Sequence, residues 1–118
     1  MKLYLVETTG QGDTNIELVT EDVWNVMMDG PNASQADIDS VKAKYLAYSD
    51  KYWTPDEDDW SDFFNHHLDQ DSDSSDNDRV LHLGPLAQKS FISSRDFGNW
   101  CKENPDVEIA DEWSGYIY

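Results

Sequence analysis

The chain opens with a two-residue alternation. Across Lys2–Thr8, Leu3 and Leu5 fall on one side and Tyr4 and Val6 on the other, with β-formers throughout, so the segment is predicted as a strand. The GQGD of residues 10–13 marks a turn, and Asn15–Val19 follows as a hairpin partner. At Thr20 the period changes. Thr20 is a good N-cap, Glu21 and Asp22 suit the first turn of a helix, and Val23, Val26 and Met27 share one face. Gly30-Pro31 stops that helix.

A second helix starts from Ser34 with Asp37 three residues on, and its apolar positions are Ile38, Val41, Tyr45 and Tyr48. A third start is written in Thr54-Pro55-Asp56-Glu57, read with Thr54 as the cap, Pro55 at the first helical position and Glu57 reaching back. Trp60, Phe63, Phe64, His67 and Leu68 then trace an apolar stripe, and Asp58, Asp59, Asp62, Asn65, His66 and Asp69 lie opposite. Residues 69–78 contain no apolar side chain and are expected as an exposed loop. Arg79–Leu83 regains strand character, and Phe91-Ile92 suits a short strand. Ser94 with Asp96 opens a fourth helix to about Glu103 that should bury Phe97, Trp100 and Cys101. Val107–Ala110 and Trp113–Tyr118 are expected as two closing strands.

Together these elements predict an α+β fold: a single small domain over residues 1–118, with an antiparallel or mixed sheet of four to five strands covered by three to four helices. A chain of 118 residues buries about 65% of its unfolded surface, enough for a core without metal or disulfide. Five Trp, six Tyr and four Phe supply bulky core material.

Composition adds location and partner class. Cys101 is the single cysteine and cannot form an internal disulfide, which fits a reducing compartment. The N-terminal MKLYLVETT has too short an apolar run for a signal peptide, and no stretch approaches a membrane span. A cytoplasmic protein is expected. Twenty-five acids against eight bases leave a net charge of −17. That balance argues against nucleic acid as a direct ligand, because binding it requires neutralising phosphates, and against anionic membranes for the same reason. A field of this sign steers basic partners inward.

The charge is concentrated. Ten of the 23 residues from 56 to 78 are acidic and none is basic. Two unit charges 6 Å apart repel by about 0.7 kcal/mol in water. Ten unneutralised acids therefore oppose folding by several kcal/mol, set against a typical stability of about 5–15 kcal/mol. Solubility needs a net charge of only about 2–8 in a small domain. Two readings compete: a solvated helix face and loop, or a set of carboxylates that imitates nucleic-acid phosphates. Asp58 and Asp62 lie one helical turn apart, and Asp69, Asp71, Asp73, then Asp76 and Asp78, fall on every second residue. The expected contact surface is Asp56, Glu57, Asp58, Asp59, Asp62, Asp69, Asp71, Asp73, Asp76 and Asp78.

Other chemistry is weaker. A calcium loop starting at Asp69 has Ser74 where a Gly is needed and Val80 in place of the closing Glu, which leaves only adventitious Ca²⁺ binding. His66 and His67 are adjacent and point about 100° apart on a helix, so they do not chelate together. His67 reads as a core-edge residue and His82 as an ordinary strand residue. No nucleophilic triad has a local signature. A Mg²⁺-dependent phosphate-cleaving enzyme would repel its own substrate here. No catalytic residue, metal or cofactor is expected.

In size, acidity and aromatic content the chain resembles the DNA-mimic and anti-defence proteins encoded by phages and mobile elements, a class that shares charge rather than fold. The resemblance implies a non-enzymatic inhibitor of a basic nucleic-acid-handling host protein, such as a restriction enzyme, CRISPR effector, nuclease or nucleoid protein. It would act as a monomer or homodimer. The alternative is an adaptor or inhibitor whose specificity lies in an apolar patch, with acidity serving solubility alone.

Overall fold

The computed structural model describes residues 1–10, 13–47, 55–68, 83 and 86–116. Along the described residues run β1 (Lys2–Gly10), β2 (Asp13–Val19), α1 (Glu21–Asp29), α2 (Gln35–Ala47), α3 (Glu57–Phe63), β3 (Lys89–Phe91), α4 (Ser94–Glu103) and β4 (Glu108–Tyr116). The fold is α+β with a mixed sheet, as the alternation and helical periods predicted. Two compact units can be distinguished. One joins Met1–Glu21 to Ala87–Tyr118, and the other is Asp22–Leu86.

The first unit is built on a sheet of order β3-β2-β1-β4. β1 and β2 pair antiparallel from Tyr4↔Val19 to Gly10↔Asp13, the expected hairpin, while its Gln11-Gly12 loop lies outside the described residues. β1 and β4 run parallel. The alternation in β1 and β2 collects Leu3, Leu5, Ile16, Leu18 and Phe91 into one buried cluster, and Phe97, Trp100, Val107 and Ile109 pack against it. Phe91 anchors α4, meeting Phe97 edge-on at 5.5 Å and Trp100 at 5.7 Å between ring centroids. Cores of this kind respond strongly to truncation, and removing most of a fully buried leucine costs about 2–5 kcal/mol. The alternate positions of the same strands, Tyr4, Val6 and Thr8 with Glu17 and Val19, are also buried and include two polar residues, Thr8 and Glu17. The Asn15 side-chain amide donates to the Glu17 carboxylate at 2.8 Å, offsetting part of the desolvation of a buried acid.

Three expectations in this unit are corrected. The cap of α4 is Ser93, one residue before the predicted one: its hydroxyl accepts the Asp96 N–H at 3.2 Å. Both serines satisfy the same spacing rule to within one position, and Ser93 takes the extended backbone a cap needs. The aromatic residues of α4 and Cys101 are half-buried rather than buried, because α4 covers a single sheet face. The two predicted closing strands are one strand. Leu3 pairs with Ile109 but Tyr4 with Asp111, so one extra residue enters β4 as a bulge. The bulge resets the alternation, which along the sequence alone looks like a break between two strands. Its start is pinned where the Glu108 N–H donates to the Met1 carbonyl at 2.8 Å and the N-terminal ammonium donates to the Asp106 carbonyl at 2.9 Å.

In the second unit α1 buries Val23, Trp24, Val26 and Met27, adding Trp24 to the predicted face. Gly30, at φ 55°, ends α1 in the left-handed region that side chains avoid, and Pro31 sits in the 3-10 turn Gly30–Asn32 that follows. The Ser34 hydroxyl accepts the Asp37 N–H at 3.1 Å, as predicted. Val41 and Tyr45 of α2 are buried, Ile38 is half-buried, and Tyr48 lies outside the described residues. Asp22 ties α1 to α2: its carboxylate accepts the Ser40 hydroxyl at 2.6 Å and pairs with the Lys44 ammonium at 2.7 Å. The predicted 79–83 strand falls outside the described residues except for Leu83, which is buried and not in a strand.

Candidate acidic interaction surface

The acidic segment begins where α3 begins, two residues later than the sequence signal placed it. The cap is Asp56, not Thr54. The Asp56 carboxylate accepts the Asp59 N–H at 3.0 Å, and the Asp59 carboxylate accepts the Asp56 N–H at 3.1 Å. This is a capping box built from two aspartates, and an aspartate caps at least as well as a threonine. Pro55 precedes the cap and is buried. With Asp59, the carboxylates of Glu57 and Asp58 in the first turn sit where the helix dipole favours negative charge.

Below this turn lies an aromatic cluster. Tyr45 of α2 stacks on Phe63 at 4.8 Å and meets Trp60 at 5.5 Å, and Trp60 meets Phe64 at 5.7 Å. Trp60 is buried, while Phe63 and Phe64 are half-buried. The predicted stripe is therefore core, and it fixes α3 so that its other side faces out. The helix widens into a π-helical turn over Phe64–Leu68, which returns Leu68 to the interior. Burial holds the Tyr45 phenol above its ordinary ionisation range, and the carboxylates of Asp59, Asp56 and Asp62 push it further in the same direction.

The five predicted contact acids on this helix thus divide. Asp56 and Asp59 are engaged in the capping box. Glu57 is engaged too, with its carboxylate 2.6 Å from the Lys42 ammonium of α2. Asp58 and Asp62 are exposed, one turn apart, and have no hydrogen-bond or ion-pair partner among the described residues. The two described bases of this unit, Lys42 and Lys44, are both drawn into internal pairs, with Glu57 and Asp22. Neither lies free to neutralise the outward pair. Asp69, Asp71, Asp73, Asp76 and Asp78 lie outside the described residues, as do the candidate calcium loop, His82 and the side chains of His66 and His67.

A second acidic stretch was read from the sequence only as strand. Glu108, Asp111 and Glu112 on β4 are exposed, and the Asp111 carboxylate accepts the Glu112 N–H at 2.8 Å. The signal was available: from Glu103 to the last residue the sequence contains five acids and no base. Among the described residues no group of three or more His, Cys, Asp or Glu is placed to hold a metal ion. No described helix is long and apolar enough to cross a membrane. No family model matches the chain, and no curated protein or solved structure matches it.

Proposed function

We propose that this protein is a non-enzymatic inhibitor that binds a basic nucleic-acid-handling protein in the cytoplasm, presenting carboxylates in place of phosphates. The observation that carries the reading is the division of charge around α3. Lys42 and Lys44 are paired internally, while Asp58 and Asp62 face solvent one turn apart with no ion-pair partner among the described residues. At about 6 Å such a pair repels itself by roughly 0.7 kcal/mol in water, a penalty that a cationic cleft converts into attraction. Asp69, Asp71, Asp73, Asp76 and Asp78 continue the charge along the chain. Carboxylates pair with the target's Lys and Arg, so association is fast, weakened by salt and exclusive of nucleic acid.

The test is capture from host lysate at low salt, followed by challenge of the captured complex with duplex DNA or RNA. The reading expects a basic nucleic-acid-binding protein that nucleic acid displaces. Capture of a partner that nucleic acid leaves in place would instead support the adaptor reading. That rival draws on the exposure of Ile92, an apolar side chain left 82% accessible at the end of β3.

A further inference from the structure

The sheet has two edges, and they are unequal. β3 is three residues long, whereas β4 is nine, and among the described residues no strand pairs with its outer side. Glu112 is in register with Leu5 of β1, but its N–H is held by the Asp111 carboxylate at 2.8 Å and so turns away from β1. Backbone groups in a strand alternate in direction, which turns the Ser114 N–H and C=O outward as well, to the side where no described strand pairs with β4. Its side chain is exposed. The bulge beside Ala110 and the Asp111 hydrogen bond blunt the first half of the edge, and no described strand pairs with the second half.

We propose that this half of β4, around Ser114, docks an extended basic segment of a partner protein, which joins the sheet as a fifth strand. Charge selects the occupant. An added strand lies about 4.8 Å away and places its side chains within reach of Glu112 and Asp111, where opposite charges stabilise and like charges destabilise. A second copy pairing two-fold through β4 would set acid against acid. A strand carrying Lys or Arg at alternate positions meets the carboxylates while its backbone meets Ser114. This site shares with the proposed function only the basic character of the partner, and it belongs to the other unit of the chain.

The experiment uses the full chain and a labelled eight-residue peptide alternating Lys and Val, beside the same peptide methylated on every backbone nitrogen. Both carry equal charge, but only the first can add to a sheet. Saturation with the first peptide should slow hydrogen exchange of the Ser114 amide roughly tenfold or more, and the methylated peptide should bind roughly tenfold more weakly. The D58N/D62N variant should bind the peptide as the natural protein does, so failure here is distinguishable from failure of the α3 reading. Equal binding of the two peptides, no binding, or an unchanged Ser114 amide would overturn the proposal. So would Ser114 protection that grows with the protein's own concentration and needs no peptide.

Discussion

Asp56 and Asp59 hold each other's backbone: each carboxylate accepts the other residue's N–H, at 3.0 and 3.1 Å. Among the described acids of this stretch, Asp56 and Asp59 therefore build α3, Glu57 pairs with Lys42, and Asp58 and Asp62 face water. Substitution should separate them. Asp56→Ala removes the cap and should lower stability by about 1 kcal/mol, a fall in Tm on the order of 4 °C. Asp62→Asn should leave stability unchanged or raise it by about 0.3 kcal/mol, because Asp62 sits near the helix C-terminus beside other acids. Thermal melts of the two variants check this, and equal losses would show that Asp62 has a structural role too.

The two ends of the α4–β4 segment respond oppositely to an added methyl group. A Cβ at Gly115 would run into the Trp113 indole, with Cζ2 at 2.9 Å, so Gly115→Ala should displace that ring and cost about 1–3 kcal/mol. A Cβ at Gly98 meets nothing within 4 Å, and Gly98→Ala should stabilise α4 by about 0.5–1 kcal/mol. Near-UV circular dichroism should change for the first variant and stay constant for the second.

Alkaline pH should weaken the fold. Burial and then Asp59, Asp56 and Asp62 raise the folded-state ionisation of Tyr45, and Tyr4, Glu21 and Glu108 raise that of Lys2. Above the unfolded values of about 10, the folded chain retains protons that the unfolded chain has lost. By linkage, this stability is fully present below about pH 10 and is lost as pH climbs through the folded values. Chemical denaturation at pH 9 and at successive points above 10 measures it. Tyr45→Phe should shrink the Tyr45 part of the loss, and a curve identical to that of the natural protein would refute the assignment.

Much of this was legible in the chain itself. The alternation of Leu3 and Leu5 found the core face of the sheet, and Ser34 with Asp37 found the start of α2 to the residue. What escaped depends on contacts that local pattern does not encode. The bulge in β4 exists because β4 must follow β1, so its alternation read as an interruption. Capping strength is shared among Thr, Asp and Ser, so the caps of α3 and α4 were misplaced by two residues and one. Within the acidic stretch, composition counted every carboxylate alike. Only the fold shows that Lys42 neutralises Glu57 and that Asp56 and Asp59 are occupied, which leaves Asp58 and Asp62 as the outward pair.

The central claim is that outward carboxylates occupy a cationic cleft. Its most direct test is the slope of log affinity against log salt for the captured partner. The natural protein is compared with a variant carrying Asn at positions 58, 62, 69, 71, 73, 76 and 78. Affinity should fall steeply for the natural protein, with roughly one unit of slope for each counter-ion exchanged, and the variant should give a shallow line with weaker binding. Superimposable lines of equal affinity would contradict it.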